Sequence, residues 1–398
     1  MKIPFARVDC SGNEVKYVKE VLESGWLTTA GKAQELEKRF GRFVGAGFAC
    51  AVNSCTAALH LALEAVGVGP KDKVIVPTMT FTASAEIVRY LGGDPIFVDV
   101  DYGTRMLRPS EIDRYLEGND KIKAVMVVHF GGQTAPLLDE TDNEGLLSIC
   151  KRNGVCLIED AAHAFPAYCT TPDQKAENRQ RRPIGSVGDV TCFSFYANKT
   201  ITTGEGGMIV TNDQQIADRA RIMRLHGINR DIWNRFTDSK ANWEYDVVAP
   251  GYKYNMPDVN AAIGLAQLER AEEMRLERQR VAEFYFDRLS NIECIDLPEI
   301  LVPFEDHAWH LFCIVLKPDS PIARNDFIEK MADAGIGTSV HYKPLHRMTY
   351  YRERYKLNPE DFPNSEKIWK GTVSLPIYPG LKQEELEYIT STIRSLLC

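Results

Sequence analysis

Short apolar runs alternate with helical stretches through the first part of the 398-residue chain. The runs are continuous in Val, Ile and Phe, which is typical of strands covered on both faces. The stretches between them space their apolar residues as helices do, and several end in glycine, a common helix C-cap. The predicted strands are VIVP at 74–77, PIFVDV at 95–100, AVMVVHF at 124–130, VCLIED at 155–160, DVTCFSF at 189–195 and GMIV at 207–210. This alternation predicts an α/β fold with a mostly parallel sheet.

The pattern changes near residue 250. Pro257 opens a long amphipathic stretch that reaches Leu289 without a helix breaker, which predicts one connecting helix. The runs HLFCIVL and GTSVHYKPL and two further helices, near DFIEKMADAG and EELEYITSTIRSLL, suit a compact α+β module. We therefore predict a large α/β domain over residues 1–250 and a small C-terminal α+β domain over residues 251–398.

A polar segment, residues 170–183, separates two of the predicted strands. It mixes acidic and basic residues, which predicts a surface loop. Its basic cluster of Arg179, Arg181 and Arg182 could instead bind a phosphate or a partner, although charge on a loop is usually only solvated.

Composition places the chain among ordinary globular proteins, since 44% of its residues are hydrophobic and 26% are charged. The formal net charge of −8 argues against nucleic-acid binding, which needs a surplus of Lys and Arg. No apolar run approaches the roughly 20 residues of a membrane span, and no signal-peptide pattern opens the chain. Ten cysteines without a Cys-x-x-Cys pair indicate free thiols, so we expect a cytoplasmic protein.

Familiar nucleotide and metal motifs are incomplete. Gly67-Val-Gly69 and Gly204-Glu-Gly206 each lack the third glycine of a dinucleotide fingerprint, so a nicotinamide enzyme is not favoured. The two histidines of HAWH, at 307–310, have no carboxylate or thiolate at a spacing that completes a metal site. We expect no metal, and we interpret these histidines as structural or substrate-facing.

Two segments place reactive side chains at predicted strand ends, where open α/β sheets bind ligands. VCLIEDAAH ends a buried strand in Asp160 and leads to His163, and a buried carboxylate needs a cationic partner. FSFYANKTITTGEGG presents Ser194 and then Lys199 beside glycines, and burial favours the neutral amine that forms a Schiff base. The alternatives are an acidic helix cap and an exposed loop lysine.

A third segment, NSCTAALHLAL, places Ser54 and Thr56 before a helix whose free backbone N–H groups suit a phosphate. A simple N-cap is the alternative. The three segments together supply a phosphate site, a buried acid and an imine-forming amine, which are the groups that pyridoxal 5′-phosphate requires. We therefore predict a pyridoxal-phosphate enzyme.

Five ordered motifs resemble those of the DegT/DnrJ/EryC1/StrS family of sugar aminotransferases: NSCTAALHLAL, PTMTFTASAEIV, IEDAAHA, FSFYANKTITTGEGG and GYKYNMPDVNAAIGLAQL. The similarity covers nearly the whole chain. SGWLTTAGKAQELE, VAPGYKYN and HAWHLF are similar to the branch that makes 4-amino-4-deoxy-L-arabinose on a uridine diphosphate carrier. The resemblance implies the type I fold of pyridoxal-phosphate transferases, as in aspartate aminotransferase, and a homodimer with shared active sites.

The resemblance also implies roles for individual residues. Lys199 would bond to the cofactor and transfer the proton, Asp160 would pair with the pyridine nitrogen, and His163 would lie near the phenolic oxygen. Phe81 would stack on the ring. The phosphate-binding positions are matched by Thr56, Ala57 and Ser194.

Asn255, in GYKYN, resembles a residue that reaches the phosphate from the neighbouring subunit. Many relatives have Asn-x-Arg where this chain has Lys253-Tyr-Asn255, so either Lys253 or Asn255 is the donor. Thr28, Thr29 and His341 are candidates for contacting the substrate, with packing as the alternative for each.

The implied reaction moves an amino group from L-glutamate, which leaves as 2-oxoglutarate, to a keto group of a nucleotide-diphosphate sugar. The keto group is expected at C4 of a uridine-linked sugar, for polysaccharide or lipopolysaccharide biosynthesis. Related sugar dehydratases carry histidine in place of the lysine, so Lys199 favours transamination. A pyridoxal-phosphate dehydratase and a non-catalytic binding protein of the same fold are the alternatives.

Overall fold

A mixed seven-stranded sheet organises the first part of the chain in the computed structural model, which describes residues 1–119, 121–140, 143–170, 181–229 and 245–398. The strands are β1 (Phe48–Val52), β2 (Lys73–Pro77), β3 (Asp94–Val98), β4 (Ile122–Val128), β5 (Cys156–Asp160), β6 (Tyr168–Thr170), β7 (Arg181–Pro183), β8 (Val190–Ser194) and β9 (Gly207–Thr211). The sheet order is β1-β9-β8-β5-β4-β2-β3, while β6 and β7 pair separately. Only β9 runs antiparallel to its neighbours in the large sheet.

All six predicted strands are confirmed, and the predicted mostly parallel α/β sheet is confirmed with them. The sequence reading missed β1, whose run FACAV is short and rich in small residues. This strand is an edge strand, and it pairs antiparallel with β9.

Helices cover both faces of the sheet because the central strands are apolar on both sides. In β4, Val125 and Val127 pack into one core while Ala124 and Met126 pack into the other. The helices of this part are α1 (Glu14–Ser24), α2 (Gly31–Val44), α3 (Cys55–Ala65), α4 (Ala83–Tyr90), α5 (Pro109–Leu116), α6 (Leu146–Arg152), α7 (Gln214–Met223) and α8 (Asp258–Leu268). The first core includes residues of α2, α5, α6 and α8, and the second includes residues of α3, α4 and α7.

The C-terminal part builds a second, antiparallel sheet in the order β10-β11-β12. Its elements are α9 (Ala271–Leu289), β10 (Ile295–Asp296), β11 (Phe312–Leu316), α10 (Arg324–Asp333), α11 (Thr349–Tyr355), α12 (Pro363–Gly371), β12 (Thr372–Leu375) and α13 (Gln383–Leu397). Tyr285, Phe327 and Ile389, from α9, α10 and α13, pack with this sheet in a third core. None of the helices in the described ranges has the length and apolarity that crossing a membrane requires.

The prediction of one helix from Pro257 to Leu289 is wrong, because the chain breaks at Glu269–Arg270, between α8 and α9. The guanidinium of Arg270 donates to Asp9 at 2.9 Å, and Glu269 accepts from the Tyr17 hydroxyl at 2.6 Å. These partners lie more than 250 residues away in sequence, so the local sequence pattern could not predict the break.

The prediction of a loop over residues 170–183 is wrong at both ends, where Thr170 belongs to β6 and Arg181 to β7. Arg181 lies over the ring of Tyr168, 3.4 Å from its centroid, and it forms an ion pair with the carboxylate of Asp306. It is therefore engaged within the chain. Arg179 lies outside the described residues.

Asp258 joins the start of α8 to the start of α2. Its buried carboxylate accepts from the backbone N–H groups of Ala30, Lys32 and Ala33 at 2.8 to 3.0 Å. We expect Asp258→Ala to lower the free energy of unfolding by about 2 to 3 kcal/mol, since three donors lose an ionised acceptor. Urea unfolding measures this change.

The matched control for Asp258→Ala is Asp213→Ala. Asp213 caps α7 at the surface and accepts from Gln215 and Ile216. Its loss should cost about 1 kcal/mol or less, because water replaces it. Equal costs for the two variants would contradict the importance we give to burial of the Asp258 carboxylate.

Candidate active site

A cavity of about 440 Å³ lies at the carboxyl ends of β4, β5 and β8. Asp160 and Ser194 are the last residues of β5 and β8, and Thr56 lies in the first turn of α3. His310 and Tyr342 enter the cavity from the C-terminal part of the chain. The cavity therefore occupies the position at which open α/β sheets bind ligands.

The structure gathers most of the predicted site residues around this cavity. Seven of them line it: Thr56, Phe81, Asp160, His163, Ser194, Lys199 and His341. Ala57 is next to the lining, with its N–H bonded to the Ser54 hydroxyl oxygen at 3.1 Å. Phe81 lies at the rim, with 58% of its surface exposed.

The remaining three predicted residues, Thr28, Thr29 and Asn255, lie in a second cavity of about 380 Å³, together with Lys253. The Asn255 side-chain amide donates to the Thr29 hydroxyl at 2.6 Å, and that hydroxyl donates to the Met256 carbonyl at 2.6 Å. Within one chain, these residues are therefore held together but apart from the first cavity.

The first turn of α3 offers the first cavity backbone N–H groups that have no partner within the helix. Ser54 is the N-cap, and its hydroxyl satisfies only the amide of Ala57. Gly207 of β9 lies against this turn, since a Cβ there would approach the Ser54 carbonyl carbon to 2.6 Å. The glycines of TGEGG thus let β9 approach the turn, which is suited to an anion.

Asp160 has a buried carboxylate that accepts from the Ser84 hydroxyl at 2.7 Å and from the Ala162 N–H at 3.1 Å. Burial raises its pKa, while these two bonds and the nearby charge of Lys199 oppose the rise. Such a carboxylate would be stabilised by a cationic N–H group in the cavity. Ser84 was missed by sequence reasoning because α4 brings it in from a distant segment.

The neighbouring Glu159 is fully buried and has its partners inside the protein. Its carboxylate accepts from the Thr191 hydroxyl at 2.6 Å, the Gly188 N–H at 2.9 Å and the His129 ring at 2.9 Å. Because the Ala135 N–H donates to Nδ1 of His129, the ring proton that faces Glu159 is on Nε2. Glu159 is therefore a structural acid, and Asp160 is the acid available to the cavity.

Lys199 follows β8 and lines the cavity, with its Nζ 3.4 Å from Nε2 of His310. Burial lowers the pKa of Lys199 to about 8, although Cys55 and Asp160 oppose this shift and Arg278 adds to it. The neutral, nucleophilic fraction of the amine near neutral pH is therefore larger than that of an exposed lysine.

His163 is held in one tautomer. Its pKa is lowered well below the usual value by burial, and its Nδ1 accepts from the Gly131 N–H at 3.3 Å, so Nε2 carries the proton. This proton is donated to the Tyr342 hydroxyl oxygen at 3.0 Å, which leaves the hydroxyl hydrogen available to a molecule in the cavity. Tyr342 follows the predicted His341 directly and belongs to the segment HYKPLH, which the sequence also offers as a candidate for the substrate side.

The two histidines of HAWH have different roles. The ring of His310 lies 4.5 Å from that of His163 and next to Lys199, so it belongs to the cavity. His307 accepts from the Trp309 N–H at 2.7 Å, and burial lowers its pKa to about 3, which identifies it as structural. Among the described residues, no cluster of His, Cys, Asp and Glu has the size to hold a metal ion.

Comparison with known proteins gives a consistent result. The model of the DegT/DnrJ/EryC1/StrS aminotransferase family matches residues 9–394. The spore coat polysaccharide biosynthesis protein SpsC of Bacillus subtilis is 39% identical over 401 residues, covering 99% of this chain and 97% of SpsC.

Solved structures show the same fold over the full length of the chain. Spr1654 of Streptococcus pneumoniae, assigned as a sugar aminotransferase, is 29% identical in its PMP form, with a TM-score of 0.88 and 99% of both chains covered. Its PLP form has a TM-score of 0.87 and covers 100% of this chain and 98% of its own. DesV of S. venezuelae is 27% identical with a TM-score of 0.81, covering 96% of this chain and 94% of its own.

Replacing Lys199 by Met should stabilise the ligand-free protein below about pH 8. In the unfolded chain the Lys199 ammonium has a pKa near 10.5, whereas burial disfavours the ammonium in the folded protein. Protonation therefore lowers the free energy of unfolding of the wild type, and this loss disappears above pH 10.5. We expect a gain of about 2 to 3 kcal/mol at pH 7 in urea unfolding and none at pH 11.

The control is Lys19→Met, which removes a lysine whose side chain is 71% exposed. It should not change the pH dependence of stability. A gain for Lys199→Met that persists at high pH would show that side-chain volume, and not charge, is responsible.

Proposed function

The chain belongs to the DegT/DnrJ/EryC1/StrS aminotransferase family, and we propose that it transfers the amino group of L-glutamate to a keto group of a nucleotide-linked sugar. The observation that carries this proposal is the cavity in which Lys199, Asp160 and the first turn of α3 meet. The products are 2-oxoglutarate and an amino sugar. Sugar transamination is the activity that the family match and the similarity to Spr1654 support.

The cofactor is pyridoxal 5′-phosphate, because the chain belongs to this family and the similar protein Spr1654 has been solved in PLP and PMP forms. The residues of the cavity fit it. The α3 turn and Ser194 would hold the phosphate, the carboxylate of Asp160 would hold the protonated ring nitrogen, and Lys199 is an amine that burial has made nucleophilic. When bound, this cofactor supplies a carbonyl carbon that bonds to amines and a ring that accepts an electron pair.

The residues of the chain do the remaining work. Lys199 acts as a general base and takes the proton from Cα of L-glutamate. With the keto sugar it acts as a general acid and gives a proton to the sugar carbon that receives the amino group. Asp160 stays ionised and keeps a proton on the ring nitrogen, aided by the Ser84 hydroxyl. The Tyr342 hydroxyl accepts from His163 and presents its own O–H at the wall of the cavity, where it orients a polar oxygen of a bound molecule.

We propose that the sugar is a uridine-diphosphate 4-keto sugar and that the product enters surface polysaccharide or lipopolysaccharide biosynthesis in the cytoplasm. The role of SpsC in spore coat polysaccharide biosynthesis supports the proposal that the product enters polysaccharide biosynthesis. The motifs around Thr28, Asn255 and His310 support the uridine-linked branch.

We also propose a homodimer in which the second cavity of one subunit completes the first cavity of the other. Thr28, Thr29 and Asn255 support this arrangement, because they are held together in one chain yet lie apart from Lys199. Lys253 also lines the second cavity, so either Lys253 or Asn255 can supply the donor to the phosphate.

The absorbance spectrum of the purified protein with pyridoxal 5′-phosphate tests the proposal. We expect a visible band that L-glutamate bleaches and that Lys199→Ala does not form. Addition of a uridine-diphosphate 4-keto sugar should then give a product in which the carbonyl oxygen is replaced by an amino group. A product that has lost oxygen without gaining nitrogen would indicate the dehydratase, and no band at all would indicate the non-catalytic protein.

Asp160→Asn should lower the turnover number by at least about 100-fold, because the uncharged amide no longer holds the proton on the ring nitrogen. Ser84→Ala, which removes only one bond to Asp160, should have a much smaller effect. Steady-state rates and thermal unfolding of both variants check this. Asp160→Asn with an unchanged rate would contradict the role given to Asp160.

A further inference from the structure

Arg278, in α9, is a buried arginine with no acidic partner among the residues that the structure describes. Only 2% of its surface is exposed, and its Nη1 donates to the Ile377 carbonyl at 2.8 Å. The same nitrogen lies 3.5 and 3.4 Å from the carbonyl oxygens of Trp309 and His310. In the described ranges its Nε has no hydrogen-bond partner, and burial alone shifts its pKa, to about 10. The positive charge is therefore solvated by carbonyl dipoles and is not neutralised.

Arg275, one turn earlier in α9, shows the ordinary arrangement. It is also buried, with 5% of its surface exposed, but it donates to the Glu272 carboxylate at 2.7 Å and to the Gln279 side-chain oxygen at 3.0 Å. An unpaired buried charge is costly, and evolution can remove it with an apolar side chain of similar volume. The contrast within one helix indicates that the charge of Arg278 has a use.

The use is indicated by what Arg278 touches. Its carbonyl contacts hold the Trp309–His310 backbone, and the His310 ring lies against the amine of Lys199. The other titratable groups that face Lys199 are the Cys55 thiol and the Asp160 carboxyl from the sheet side and the His163 and His341 rings. Burial keeps the three histidines neutral, so Arg278 is the permanent cation among the groups that act on this amine.

We propose that Arg278 is a positioning residue for Lys199: the uncompensated charge of Arg278 disfavours a second cation in the cavity and so favours the neutral, nucleophilic form of the Lys199 amine. Its contacts with the Trp309 and His310 carbonyls hold it against the segment whose His310 ring lies next to Lys199. This inference rests on the proposed function, because it concerns the reactivity of Lys199.

The test measures the amine of Lys199 directly, in the full-length protein freed of cofactor. The protein is pulsed with acetic anhydride over a range of pH, and acetylation of Lys199 is read by peptide mass spectrometry against the exposed Lys19. The midpoint gives the apparent pKa of Lys199. We expect Arg278→Gln, which removes the charge but keeps a polar side chain, to raise this pKa by about one unit, because the cation is lost.

Two variants isolate the charge. Arg278→Lys retains the cation and should restore the apparent pKa of Lys199 to the wild-type value. Arg275→Gln removes a buried arginine that is already paired and should leave that pKa unchanged. If Arg278→Gln fails to fold, as judged by circular dichroism, Arg278→Met replaces it with the same expected upward shift.

Two results would overturn the inference. One is an unchanged Lys199 pKa in the neutral Arg278 variants, and the other is an equal shift in Arg278→Lys, which would show that entry of water is responsible. Failure of the proposed function is distinguishable, because it would remove the absorbance band of the wild type with pyridoxal 5′-phosphate without changing the acetylation profile.

Discussion

Burial of titratable side chains at the carboxyl ends of β4, β5 and β8 is the constraint on which the site depends. The same desolvation acts on every titratable group of the cavity, but its sign differs with the charge of each group. It lowers the pKa of Lys199 to about 8 and raises the pKa of Asp160. It also keeps His163 and His310 neutral, so they act as hydrogen-bonding rings and not as cations. Lys199 and Asp160 would have ordinary pKa values in water. Burial at the ends of the strands shifts these pKa values and suits the two groups to transamination.

The pleat of the sheet assigns different roles to two adjacent acids. Successive side chains of a strand point to opposite faces, so Glu159 and Asp160 at the end of β5 meet different partners. The Glu159 carboxylate accepts from a histidine ring, a hydroxyl and a backbone amide, all inside the protein. Asp160 accepts from Ser84 and Ala162 and still lines the cavity. A one-residue slip in the register of β5 would exchange these environments.

The sequence predicts those parts of the structure that neighbouring residues determine, and it does not predict those that depend on tertiary contacts. Continuous apolar runs predicted the central strands, since strands covered on both faces need them. Motifs at strand ends predicted Lys199 and Asp160, because the carboxyl ends of parallel strands converge. The break at Glu269–Arg270 was not predictable, because its causes are Asp9 and Tyr17. Ser84 and Tyr342 reach the cavity through tertiary packing, and the separation of Thr28, Thr29 and Asn255 from Lys199 is likewise a property of the folded chain.

The C-terminal part closes the cavity because it is fixed to the sheet by bonds that do not involve the cavity itself. The Asp99 carboxylate, just after β3, accepts from the Asn364 and Ser365 backbone N–H groups at 2.8 and 3.0 Å, at the start of α12. The Leu345 N–H donates to the Thr78 carbonyl at 2.8 Å, directly after β2. The nearer of these bonds is made by Leu345, three residues after Tyr342. The wall that supplies Tyr342 is therefore fixed to the large sheet, and burial behind this wall lowers the pKa of the Lys199 amine.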